Sequence, residues 1–139
     1  MARLALLLSL LCAGPLWAAE PVWFVVIGDT ADANADTVMV DPVPVAVSEA
    51  GRTMNIRVNR AADRRNWEGV PYRSYDARVQ FDCNTRRAHY VSGAFYREPL
   101  WKGSPHQVSD YTRGPVRQML FLDMEPNPTA RIVRAACGA

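Results

Sequence analysis

Lysine is almost absent from this chain: of 16 basic residues only Lys102 is not arginine. Cysteine is scarce, with three in 139 residues, and histidine scarcer, with two. There is no HExxH helix, no CxxC pair and no calcium loop of alternating Asp and Asn closed by Glu, so none of the common metal signatures is present. No serine sits in a Gly-x-Ser-x-Gly turn, which removes the usual frame for a hydrolase nucleophile. Repeats, charge blocks and low-complexity tracts are missing too. A formal charge of +2 leaves no electrostatic argument for nucleic acid.

An uninterrupted apolar run of membrane-spanning length is also lacking. Residues 1–19 carry one charge at Arg3, an apolar run from Leu4 to Leu11, the breaker Gly14-Pro15 and a small-residue exit at Ala18-Ala19. A spanning helix needs about 18 to 20 apolar residues, and this pattern predicts a cleaved export signal instead. Leu10-Leu11 are too large to precede a lipidated Cys12. Cleavage after Ala19 leaves one domain, 20–139, destined for the periplasm or the outer cell surface, with no spanning segment. Cys12 departs with the signal. Cys83 and Cys137 remain, an even number in an oxidising compartment, and a single disulfide follows.

What the mature chain does contain is period-two alternation, the mark of antiparallel strands with one wet face. Ala77, Val79, Phe81 and Cys83 point one way and Asp76, Arg78, Gln80 and Asp82 the other. Met54, Ile56 and Val58 alternate with polar residues in the same manner. Trp23 to Ile27 is apolar on both faces and reads as a more buried strand, and Val38 to Val40 as a short one stopped at Asp41-Pro42. Arg86 to Tyr96 is predicted to return through the tight turn Cys83-Asn84-Thr85, with a bend or bulge at Gly93. Gln118 to Leu122 supplies a last strand. Two longer segments, Ala61 to Tyr72 and Glu98 to Gly114, read as loops.

The period changes at the C-terminus. Asn127-Pro128 has the form of a helix start, with Asn as cap and Pro in the first helical position. Ile132, Val133, Ala136 and Cys137 then share one face, Arg131 and Arg134 the other, and Gly138 ends the helix. About ten residues make a helix too short to stand alone in water. A Cys83–Cys137 bridge pins it across the inner face of the sheet. The expected fold is therefore α+β: an antiparallel sheet of about six strands with one C-terminal helix packed on it and tied by that disulfide.

The order of these features resembles the bacterial surface-adhesin protein E family. Trp23 opens the first strand and Val40-Asp41 ends the second. Tyr72-Arg73-Ser74 leads into a strand closing on Phe81-Asp82-Cys83, with Arg86 or Arg87 soon after, and Cys137 ends the helix. The resemblance implies a non-enzymatic exported protein, an adhesin attaching to extracellular matrix or serum proteins. It assigns no binding residues one by one.

From the residues themselves, the candidate partner contacts are Arg64, Arg65 and Trp67 in one loop and Trp101 and Tyr111 in the other, aromatic residues beside Arg being typical interface anchors. The alternative for the tryptophans is that they fold back over the sheet. Arg57 and Arg78, near Asp76 and Asp82, are explained by cross-strand pairing. Asp29, Asp32, Asn34 and Asp36 read first as a polar turn, so no metal is expected, nor any cofactor. His89 lies mid-strand, and His106 with Asp110 four residues on is the weak basis of a hydrolase reading. No catalytic residue is assigned. The runner-up function is a periplasmic carrier of a small ligand held between sheet and helix. Open sheet edges leave a homodimer allowed.

Overall fold

The computed structural model describes residues 14–15 and 22–138; apart from the dipeptide 14–15, the expected export signal over 1–19 lies outside the described residues. Seven strands form one antiparallel sheet: β1 Phe24–Ile27, β2 Thr37–Val40, β3 Ala46–Val47, β4 Gly51–Arg65, β5 Pro71–Asp82, β6 Arg87–Tyr96 and β7 Gln107–Asp110. The order is β1-β2-β4-β5-β6-β7, and the two-residue β3 pairs with β4 beside β2. One helix, α1 (Thr129–Cys137), lies against β1, β2, β4 and β5.

The alternation read from the sequence sets the faces. Met54 pairs with Val79, Ile56 with Ala77 and Val58 with Tyr75, while Val38 pairs with Val58 and Val40 with Ile56. These side chains are all buried on the inner face, where Ile132, Val133 and Ala136 of α1 join them. Asn127 Oδ1 accepts the Thr129 N–H at 2.9 Å, and the helix begins at Thr129 with Pro128 in the cap position, one residue later than the sequence suggested. Cys83 and Cys137 form the disulfide, their Cα atoms 5.6 Å apart. Two arginines finish the helix: Arg52 Nη1 donates to the Ala136 carbonyl at 3.0 Å and Arg86 Nη1 to Gly138 at 3.2 Å. A cation at this end satisfies orphan carbonyls and complements the helix dipole.

Five local expectations are corrected. Residues 61–72 are not a loop: β4 runs on to Arg65 and β5 begins at Pro71, leaving only Asn66–Val70 as the turn. Ala61, Ala62 and Asp63 are exposed there, so this extension has no apolar alternation to reveal it. Residues 98–114 contain a short 3-10 turn, Pro99–Trp101, and the edge strand β7. Gln118 to Leu122 is not a strand: it makes one isolated bridge, Gln118 to His89, and Phe121 with φ 45° turns the chain out of extension. The bulge in β6 falls at Val91, between the pairs Arg78–Ser92 and Val79–Tyr90. Gly93 serves a different end, since a Cβ there would lie 3.0 Å from the Phe95 ring. Finally, β1 is an edge strand whose Phe24 and Val25 are largely exposed.

Candidate functional site

The tip of the long β4–β5 hairpin builds itself. Asn66 Oδ1 accepts the N–H groups of Glu68 at 3.1 Å and Val70 at 2.9 Å. Gly69, with φ 78°, supplies the left-handed position that closes the turn, and Arg65 Nη1 donates to its carbonyl at 2.8 Å. This turn holds Trp67 against the inner face. Its ring meets Tyr90 edge-on at 5.3 Å and Tyr111 at 5.2 Å, with the Arg117 guanidinium 5.4 Å from its centroid. Trp67 nevertheless remains 47% exposed. Tyr111 donates to Glu68 Oε2 at 3.1 Å; burial and that carboxylate push its phenol up to about 12.

Beneath the tip lies an open cavity of about 510 Å³. Its walls come from the inner face of the sheet (Tyr72, Tyr75, Tyr90, Phe95) and from residues 118 and 120–123, with Arg64, Arg65, Asn66 and Trp67 on the hairpin side. The 118–123 segment is held by the start of α1: Asn127 Nδ2 and Thr129 Oγ1 both donate to the Leu120 carbonyl, at 2.8 and 2.7 Å. The strained Phe121 sits within that tethered stretch. Tyr75 and Tyr90 satisfy each other through a buried contact of 2.7 Å between hydroxyls. Their burial raises both phenols above the ordinary value.

Charge at the cavity is organised around Arg60, a buried guanidinium. It donates through Nε to Asp36 at 3.0 Å and through Nη2 to Asp123 at 2.5 Å. Burial alone would favour its neutral form, but the hydrogen bonds and charges of Asp123 and Asp36 outweigh this and raise its pKa. The Arg60 hydrogen bond in turn lowers Asp123. Arg64 Nη1 makes a second contact to Asp123 at 3.1 Å. Among the described residues two donors of the hairpin, Arg64 Nε and Asn66 Nδ2, are shut away from solvent and have no acceptor.

Of the partner-contact residues expected from the sequence, Arg64, Arg65, Trp67 and Tyr111 cluster at this hairpin and cavity mouth. Trp101 does not join them. It lies over the outer face, its centroid 5.0 Å from the Arg57 guanidinium, which also stacks on Trp23 at 5.2 Å and pairs with Asp76 at 2.6 Å. Trp101 Nε1 donates to the Tyr75 carbonyl at 3.1 Å. Its turn is pinned by Asn59 and Ser74, which take the Leu100 and Trp101 N–H groups at 2.8 and 3.0 Å. These bonds hold Leu100 and Trp101 at φ 55° and 56°, an otherwise strained conformation. Sequence reading missed Arg60, Asp123 and the tyrosine wall. The signal available was Tyr75 in the inward register; on the next strand its direct partner is Phe95, and Tyr90 lies opposite Val79.

The remaining candidates have local partners. Asp29 and Asp32 cap their own turn at Ala31 and Asn34, Asp36 is turned to Arg60, and among the described residues no three metal-binding side chains stand together. Asp110 Oδ1 accepts from both the backbone and hydroxyl of Thr112. Neither ring nitrogen of His106 has a hydrogen-bond partner among the described residues, so no Ser–His–Asp relay is assembled there. No helix among the described residues is long and apolar enough to cross a membrane. No curated protein and no solved structure gives a significant match. The family model of surface-adhesin protein E matches residues 23–138, nearly the whole chain. The antiparallel sheet, the C-terminal helix and the bond that staples them thus stand within a sequence match of the same extent, and this chain belongs to the surface-adhesin protein E family.

Proposed function

We propose that this is an exported, non-enzymatic binding protein, cleaved after Ala19, that engages a macromolecule of the extracellular matrix or serum through the tip of the β4–β5 hairpin. The observation that carries the reading is Trp67, held rigidly by Tyr90 and Tyr111 yet half exposed beside Arg64, Arg65 and Arg117. A large, pre-ordered aromatic ringed by arginine is the residue type that dominates interface energies, because little conformational freedom is lost when it is covered. The unpartnered His106 supports leaving catalysis out. Membership in a surface-adhesin family supports the export and the surface role.

The test is capture of matrix and serum proteins by the immobilised mature chain, comparing Trp67→Ala with Trp101→Ala. Loss of a central anchor of about 2 kcal/mol weakens capture roughly thirtyfold. The outer-face variant is expected to retain it. Equal capture by wild type and both variants would remove the hairpin from the reading.

A further inference from the structure

Trp67 packs on Tyr90 and Tyr111 at the β6–β7 side of the sheet, and the opposite edge has a chemistry of its own. We infer that β1 and α1 together form a second, separate binding surface: a groove that takes an extended polypeptide segment bearing acidic side chains as an added strand.

β1 is the last strand on its side. It pairs with β2 alone, and among the described residues its backbone has no hydrogen bond beyond that pairing. An open edge offers a row of N–H and C=O groups to another chain, and proteins normally guard it with charge, proline or a bulge. Phe24–Ile27 holds neither charge nor proline, and its one guard is a bulge at Val26. The other edge, β7, carries Asp110. The surface beside β1 is hollow. A groove of about 360 Å³ runs between Phe24 and Val26 on the strand and Arg131, Arg134 and Ala135 on the helix. It continues past Phe24 into a hollow of about 350 Å³ whose wall includes Val22, Trp23 and Pro42. Phe24 is 56% exposed and Val22 81%. A free strand edge flanked by a helix is the arrangement of recognition by strand addition, in which main-chain bonds hold the peptide and pockets select its alternate side chains.

Charge chooses the occupant. Arg131 and Arg134 are exposed on α1, and neither belongs to an ion pair among the described residues. The helix itself has no acidic residue, and no carboxylate lines either hollow. An inward-facing Glu or Asp of an added strand therefore meets two guanidiniums, where a Lys is repelled. A second copy of this chain fits less well. Antiparallel pairing of β1 with itself sets both helices on the same face of the joined sheet and gathers four arginines in one groove.

Two octapeptides with capped ends, Thr-Leu-Thr-Glu-Thr-Leu-Thr-Glu and its counterpart with Lys for Glu, test this by calorimetric titration into the mature chain. The acidic peptide is expected to bind at least about tenfold more tightly than the basic one. Arg131→Glu combined with Arg134→Glu is expected to reverse that order, and Phe24→Ser to weaken the acidic peptide about tenfold. All three positions are exposed, and urea midpoints verify that the variants are folded. Amide exchange should slow at Phe24–Ile27 in the complex, and Trp67→Ala should leave peptide binding unchanged. Equal binding of the two peptides, binding of neither, a charge preference that survives the double reversal, or protection that falls outside β1 would each overturn the inference. So would a dimer in sedimentation velocity that Phe24→Ser dissolves, since a second copy would then hold the edge. Capture of a matrix protein through Trp67 stands or falls apart from all of these.

Discussion

Removing the Cys83–Cys137 bond, by Cys83→Ala with Cys137→Ala, is expected to cost about 4 kcal/mol. The two cysteines are 54 residues apart in sequence, and closing a loop of that length removes roughly 14 cal/mol/K from the unfolded chain, which is about 4 kcal/mol at room temperature. With a urea slope of about 2 kcal/mol/M, ordinary for a chain of this size, the unfolding midpoint falls by about 2 M. The structure also says how the loss should look. Ile132, Val133 and Ala136 are fully buried against the sheet, and Arg52 and Arg86 hold the end of the helix. The helix should therefore stay docked without its bond, so that the slope is unchanged and only the midpoint moves. Urea titrations of wild type and variant, followed by circular dichroism, measure both quantities. A midpoint within about 0.3 M of wild type would refute the entropic account. A lowered slope, with fast amide exchange over 129–137, would refute the claim that packing alone keeps the helix in place.

Alkaline titration is a second check. All five tyrosines (Tyr72, Tyr75, Tyr90, Tyr96 and Tyr111) have raised pKa values, burial being the first cause in each. The folded chain thus holds protons that the unfolded chain releases near pH 10, and stability falls as pH rises above that value. Absorbance at 295 nm should show less tyrosinate at pH 10.5 than the urea-unfolded chain does, rising together with unfolding. On the outer face, Arg57→Ala removes two cation–π stacks and the half-buried pair with Asp76. A loss of about 1–3 kcal/mol is expected in urea unfolding, from about 0.5–1 kcal/mol per stack and up to about 1 for the pair. In Gly51→Ala the new Cβ would lie 1.8 Å from the Phe81 carbonyl oxygen. That overlap is with backbone, so the cost should reach or exceed the roughly 1–3 kcal/mol of ordinary overpacking. A thermal midpoint equal to wild type would contradict the β4–β5 register.

The parts of this fold that its sequence announces are those where one face is dry and the other wet. Met54, Ile56 and Val58 opposite Ala77, Val79 and Phe81, and the apolar stripe of α1, are visible because burial imposes a period. The bond between Cys83 and Cys137 follows from the same patterns, since both sulfurs fall on faces that must meet. Where both faces are wet, the period vanishes and the chain reads as loop. That is the case for residues 61–65 of β4; in β7 the inward positions are the polar Gln107 and Ser109 while Val108 is exposed, so its identity as a strand comes only from pairing with β6. The opposite error arises at 118–122. Met119 and Phe121 are buried and alternate with exposed neighbours, yet without a strand to pair with along its length the segment becomes cavity wall instead.

The candidate site shows the same division at the level of single side chains. Arg64, Arg65 and Trp67 are contiguous, so one turn brings them together and their proximity is legible. Tyr111 joins them because β7 runs back along β6 and delivers the chain beside Tyr90, a topological fact with no local signature. Trp101 looked equivalent to Trp67 in sequence, but the Pro99–Trp101 turn is anchored by Asn59 and Ser74 and leaves its indole on the outer face over Arg57. Arg60 is the extreme instance. A lone arginine between Asn59 and Ala61 gives no sign of being buried, since what makes burial tolerable is a pair of carboxylates, Asp36 and Asp123, lying 24 and 63 residues away along the chain. Removing either one leaves a charge in the interior with half its compensation. The sheet must therefore bring three distant segments together before this part of the wall exists, and Arg64 reaches Asp123 only then. The cavity of this molecule is a product of long-range register, and only its exposed aromatic tip is written locally.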